Sequence, residues 1–365
     1  DIFQLQDALT DHIVQSLMLP LTDREQKTLR QDVPAVASAY ESYLRANHLV
    51  LNRSLENMKA ARDLYLACLE QDPSYAPAWA RLGRCYRFIE KFGEETLENF
   101  QLADAAYRRA FALNPDLAVA HSFYTSIEAD LGQAQRAMAR LLNRAKLKRH
   151  DAELFSGLVQ ACRYCGELQA SLAAHERAKR LDPNIGTSVP HTLFLLCAYQ
   201  KIVDFARVSE GYYIDAAAMA CLGQRSDAIA LLRQRESNQL SGGMAAMMTS
   251  LRALLQGQRT VALGYLDEAE AAGIKDPECW FYMARHLVQL NEHNRAIDML
   301  HKVIGENFIC DFSLVHDPWL APLRSHKRFD DLMGEASERR REAHAVFVAA
   351  GGEQLLRPET SPSPN

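Results

Sequence analysis

The residue types that could do chemistry are present, but not in working constellations. Cys162 and Cys165 form the only C-x-x-C. A metal or redox role would want a second such pair or a well-spaced pair of histidines. The sequence offers neither, so two packed helix-face thiols are the better reading. His286, His293 and His301 fall within one expected helix pair, yet helical spacing puts them on different faces, which disfavours a shared metal ion. No G-x4-G-K-[ST] or G-x-G-x-x-G string is there to cradle phosphates, and H-E-x-x-H, G-x-S-x-G, H-R-D and D-F-G are absent from the sequence too. Carboxylates are plentiful but mostly neighbour an Arg or Lys. Between Glu335 and Glu342, for example, Arg339, Arg340 and Arg341 mark a solvated helix face that could dock an acidic partner. Asn52-Arg-Ser54 is a glycosylation sequon by pattern only. No catalytic, cofactor-binding or metal-ligating residue is therefore expected.

Composition narrows the class further. A chain of 365 residues that is 48% hydrophobic and 24% charged is globular and soluble rather than disordered. Its formal net charge of −5 argues against a general nucleic-acid binder, because neutralising phosphates needs a basic face. Eight scattered cysteines form no disulfide framework and suit a reducing, cytoplasmic compartment. No apolar run approaches the roughly 18 to 20 residues that span a bilayer, 193–199 being the longest candidate. The opening at Asp1, without a methionine or a leader, reads as a piece of a longer protein or a processed one.

The elements that must carry these side chains are helices in a repeat. Residues 2–19 have helical spacing, and Thr22-Asp-Arg-Glu25 reads as a capping box opening a second helix. Pro73 to Pro115 is 42 residues and Pro115 to Pro183 is 68, twice 34, so a 34-residue period with an eight-residue insertion near 91–101 accounts for both. Gly132 to Gly166 and Gly223 to Gly257 are each 34 apart, as are Ala228, Ala262 and Ala296. Units follow at 76–117, 118–151, 152–185, 209–242, 243–276 and 277–310. The expected organisation is N-terminal helices over 1–53, a first repeat block over 54–185, a truncated unit over 186–208 carrying one long apolar helix at 189–199, and a second block over 209–310. A capping segment and helix at 311–350 and a mobile tail at 351–365 complete it.

Trp79, Leu82, Gly83 and Tyr86 spell W-x2-L-G-x2-Y, and Ala103, Tyr107, Ala110 and Pro115 supply the second half of the same signature. The chain thus resembles tetratricopeptide repeats, which implies an all-α, right-handed α-solenoid of helix hairpins. The flanks are similar to more than the repeat: the opening Asp-Ile-Phe-Gln-Leu-Gln-Asp-Ala-Leu, Ala39-Tyr-Glu-Ser-Tyr-Leu-Arg45, Asp317-Pro-Trp319 with Ala321-Pro-Leu-Arg324, and Gly351-Gly-Glu-Gln-Leu-Leu356. Together they look like the C-terminal half of bacterial signalling proteins in which a kinase, adenylate cyclase or winged-helix effector precedes a TolB-like domain and then this array. That resemblance implies that any enzymatic activity belongs to a domain upstream of residue 1.

Mapped onto the repeat resemblance, the groove of such an array would be lined by Ala80, Arg84 and Arg87, then Ser122, Ser126 and Asp130, then Ser156, Gln160, Arg163 and Tyr164. Met247, Leu251 and Leu254 would follow, with Phe281, Arg285 and Gln289 last. Arg and Tyr are favoured interface anchors, and Met adapts to varied shapes. The expected partner-binding residues are Arg84, Arg87, Gln160, Arg163, Tyr164, Met247, Leu251, Phe281 and Arg285, taking an extended or helical segment with a carboxylate near the arginines. Solvated arginines and a Met/Leu zone that is simply core are the bland alternative. A carboxylate clamp built on Lys and Asn is disfavoured, since those groove positions hold Ala80, Arg84, Ser122 and Ser156. Three functions stay open: an interaction scaffold binding a protein or peptide, or its parent's own upstream domains; an oligomerisation module; and an enzyme with an unrecognised site. No cofactor, nucleic acid or membrane is expected as a partner of this region.

Overall fold

The computed structural model describes residues 34, 36–51, 54–93, 97–206, 213–236 and 242–357. The helices expected over 2–19 and 22–31 lie outside the described residues. Among those described the protein is all α-helical, without a strand, and no helix is long and apolar enough to cross a membrane. The chain divides into two compact units, Asp1–Glu90 with Thr96–Ala120 and Lys91–Glu95 with His121–Asn365.

The first unit holds α1 (Ala37–Leu49), α2 (Leu55–Gln71), α3 (Ala76–Phe92) and α4 (Leu97–Leu113). Ser54 caps α2 by accepting from the Asn57 amide at 3.1 Å. Its core is aromatic: Tyr43 packs edge-on to Tyr75 at 5.0 Å and tilted to Tyr65 at 5.9 Å. A β-carbon at Gly83 would stand 3.0 Å from the Tyr107 ring, so the signature glycine is what lets α3 and α4 close on that aromatic. Both helices are 17 residues long, against 13 and 14 in the next hairpin, so the extra residues of this repeat lengthen its helices.

The second unit runs as successive hairpins, with most helices packing on the next. They are α5 (Ala118–Asp130) with α6 (Ala134–Leu147), α7 (Ala152–Tyr164) with α8 (Leu168–Leu181), and α9 (Val189–Leu195) with α10 (Tyr199–Ala206). After them come α11 (Ile214–Cys221) with α12 (Arg225–Glu236), α13 (Gly242–Leu255) with α14 (Arg259–Ala271), and α15 (Pro277–Gln289) with α16 (His293–Gly305). A single cap closes the first helix of each. Gly132, Gly166, Gly223 and Gly257 take φ of 69–78°, and the next residue's amide donates to the carbonyl five positions back, as from Gln133 to Glu128 at 2.7 Å. Asn291 (φ 61°) and Cys197 (φ 56°) make the same cap without glycine, the amides of Glu292 and Ala198 bonding to Leu287 and Leu193. Asn tolerates this conformation; a cysteine there is unusual. The cap at Cys197 breaks the long helix expected over 189–199 into α9 and α10.

The C-terminal part consists of α17 (Asp311–His316), a 3₁₀ helix (Pro318–Ser325), α18 (Phe329–Ala349) and α19 (Gly352–Leu355). It returns to the start of the second unit. α18 packs on both α16 and α6, and α19 on α6. The Ile309 amide donates to the Tyr164 carbonyl at 2.8 Å, and Asn307 Nδ2 to the Gly132 carbonyl at 2.9 Å. Arg340 and His344 both reach Glu167, the latter at 2.9 Å. With α19 helical and Leu356 buried, a tail does not begin at 351; residues 358–365 lie outside the described residues.

These returns set an unequal cost for alanine at two otherwise alike glycines. At Gly132 a β-carbon would sit 2.9 Å from Glu306 Oε2 and 3.2 Å from its carbonyl, whereas at Gly223 nothing lies within 4 Å. Gly223→Ala is expected to cost about 1 kcal/mol from its backbone conformation alone, and Gly132→Ala about 2 kcal/mol or more because that contact is added. Thermal unfolding of the two variants side by side checks the difference.

Candidate functional site

Most of the residues expected to face a partner are inside the molecule. Arg163, at the end of α7, is 1% exposed. Its Nη2 donates to Glu278 Oε2 on α15 at 3.0 Å, and its Nη1 to the Ser188 carbonyl and hydroxyl at 3.1 and 2.8 Å. The neighbouring Tyr164 hydroxyl donates to Asp276 Oδ1 at 2.8 Å. Glu278 also accepts from the Tyr282 hydroxyl at 3.1 Å and lies 3.4 Å from His191 Nδ1. Burial by itself would raise the Glu278 carboxyl, but the charge of Arg163, seconded by His191, outweighs it and holds the group well below the usual carboxylate range.

Arg285 is fully buried. It donates from Nε to Asp317 Oδ2 at 2.6 Å and from Nη2 to Cys221 Sγ at 3.0 Å, with the Phe194 and Trp319 ring centroids 4.5 and 4.9 Å from its guanidinium carbon. Phe281 packs among Tyr282 and Phe308, and Met247 and Leu251 are core. In the first unit Arg87 is buried against Glu90 and lies over Phe100. The assignment of Arg87, Arg163, Tyr164, Met247, Leu251, Phe281 and Arg285 to an open groove is thus corrected: other segments of the chain already occupy those side chains. Arg84 and Gln160 remain half-buried.

One buried base gives this interior a pH signature. Tyr213 OH and His286 Nε2 are 2.8 Å apart, and burial, then the nearby Arg285 charge, push the imidazole down to about 3. Between that value and the unfolded value near 6.5 the unfolded chain binds the extra proton, so stability falls as pH drops below about 6.5. The expected slope from this group is about 1.4 kcal/mol per pH unit. His286→Gln should flatten the dependence of urea midpoints measured at pH 7, 6 and 5.

The second unit also has an open cleft of about 700 Å³, between α16, the loop after α14, and the end of α5. Trp280 forms one wall. Its indole N–H donates to the Ile274 carbonyl at 2.7 Å, six residues back, and Trp79 in the first unit makes the same bond to Pro73 at 3.0 Å. Lys302 Nζ lies 3.6 Å from the Trp280 ring centroid, a cation–π contact at close range. Arg295 is held by Asp267 at 2.8 Å and Glu270 at 3.0 Å, and Asp298 by Arg328 at 2.6 Å. Leu131 is 44% exposed at the rim, and Met299 is half-buried. Of the groove positions drawn from the repeat, Asp130 alone lines this cleft. The signal available for the wall was Trp280 itself, three residues after Pro277, as Trp79 follows Pro77 by two.

No family model matches the chain. Among curated proteins it is similar to Superkiller protein 3 of Schizosaccharomyces pombe, 25% identical in an alignment 178 residues long that covers 40% of this chain and 13% of that protein. The chain therefore spans a small fraction of that relative's length. Among solved structures, a chain of the APC/C hetero-tetramer Cut9–Hcn1 matches with a TM-score of 0.52 at 13% identity, over 92% of this chain and 66% of the other, again slightly under two thirds of the matched protein. The P58(IPK) TPR domain aligns over 89% of this chain and all of its own length at 13% identity, with a TM-score of 0.27. The likeness to Cut9–Hcn1 is one of fold: a tetratricopeptide-like, all-α helical repeat.

Proposed function

We propose that this chain is a protein–protein interaction scaffold that binds a protein or peptide segment through surfaces its own helices leave open, and that it carries out no catalysis itself. The observation that carries this reading is the cleft beside Trp280, an open polar recess on an array of packed helical hairpins whose expected groove residues are consumed by internal bonds. The resemblance of the flanking strings supports a finer placement: the C-terminal, partner-binding or regulatory region of a bacterial signalling or transcription-regulating protein in the cytoplasm, with its parent's own upstream domains as one partner. The test is site-specific photo-crosslinking in cells, with the crosslinker placed at Leu131 or Arg84. Adducts to a distinct protein or to upstream domains are expected at one or both positions. Self-adducts alone, with a stable dimer by light scattering, would replace this reading by an oligomerisation module.

A further inference from the structure

Lys302 and Glu306 are four residues apart on the cleft side of α16, where an ion pair would ordinarily form, although lysine placed before glutamate is the weaker order. They do not pair. The ammonium rests on Trp280, and among the described residues neither side chain takes part in an ion pair, although both are exposed. Arg295 and Asp298 on the same helix are both neutralised by partners from other elements. Lys302 and Glu306 thus present two charges of opposite sign, outside any ion pair among the described residues, about 6 Å apart along a rigid helix.

We propose that this cleft binds a partner segment carrying both signs of charge, which brings a carboxylate to Lys302 and a guanidinium or ammonium to Glu306. This rests on the scaffold reading and names the chemistry of its partner. Trp280 is fixed by its bond to the Ile274 carbonyl, so it presents Lys302 in a set direction, and an ammonium held over an aromatic face keeps hydrogens free for a carboxylate. Leu131 and Met299 provide the apolar contact such a segment needs beside its charges. Since the two charges lie one helical turn apart, the matching acid and base stand three or four residues apart on a helical partner. A purely acidic segment would meet Glu306, and a purely basic one Lys302.

The test is selection of phage-displayed helical dodecapeptides on the whole chain and on the charge-swapped variant Lys302→Glu/Glu306→Lys, whose two sites are exposed. Wild type is expected to enrich peptides with an acid and a base three or four apart, and the swapped protein to enrich the reverse order. Lys302→Glu alone should weaken a wild-type-selected peptide about tenfold or more, as loss of a charge-assisted bond implies, and Lys302→Arg should retain it. Enriched peptides without such a pair, or with the same charge order on both proteins, would overturn the proposal and leave the scaffold reading standing. Enrichment of no peptide on either protein counts against both.

Discussion

Asp317→Asn is expected to destabilise the second unit by about 3–5 kcal/mol, although it removes no atom from the packing. The partner left behind decides the size. Arg285 is fully buried, and Asp317 supplies the carboxylate that its Nε reaches at 2.6 Å. Phe194 and Trp319 stack on the guanidinium but cannot take a formal charge. Asparagine retains an oxygen for the Trp319 amide, which now donates to Asp317 Oδ1 at 2.8 Å, so the cap on the 3₁₀ helix survives and the lost charge is isolated. The double variant Arg285→Met/Asp317→Asn should recover more than half of the loss, since it also removes the cation that would otherwise lie unpaired in the core. Urea unfolding followed by fluorescence beside Trp319 reads both. A loss under about 1 kcal/mol for the single variant would mean that Arg285 is not desolvated as described.

Glu278→Ala should cost a similar 3–5 kcal/mol, by stranding Arg163. Here the environment is more forgiving at one edge, because Ser188 still accepts twice from Nη1, but Nη2, the Tyr282 hydroxyl and His191 all lose their common acceptor. Since the Glu278 carboxylate is held below its ordinary range, its contribution is complete above about pH 4.5 and is lost as pH falls through its folded value. The difference between wild type and Glu278→Ala should therefore be constant from pH 5 to 7 and shrink only under stronger acid. Urea midpoints across that range check the sign. A gap that shrinks between pH 7 and pH 5 would overturn this assignment.

How much of this was legible in the amino acids differs by level. Gly132, Gly166, Gly223 and Gly257 announce their caps because only glycine enters the left-handed region freely, and the 34-residue spacing makes the helical repeat readable. Asn291 stands 34 residues after Gly257 and makes the same cap, but a search for glycine passes over it. Cys197 hides its cap more completely, and so 189–199 reads as one helix. The groove assignment failed for another reason. Helical periodicity shows which face a side chain is on, and it gives no account of what covers that face. Arg163 and Arg285 present the same local pattern whether solvated or enclosed, and their enclosure is decided by Glu278, 115 residues away, and by Asp317, 32 residues away. The cleft escaped notice because its walls come from α5, α15 and α16 and share no contiguous motif.

The bonds that tie 306–344 back to Gly132, Tyr164 and Glu167 also govern how this polypeptide comes into being. An array in which every hairpin touches only its neighbours can be settled piecemeal as synthesis proceeds. This one cannot, since partners such as Asn307 and Gly132 are 175 residues apart. At ordinary translation speeds the earlier hairpins wait on the order of ten to thirty seconds for the residues that complete them. During that interval Tyr164 and Glu167 lack their final neighbours, so the polar and aromatic groups that the C-terminal part later covers stay open to solvent on the nascent chain.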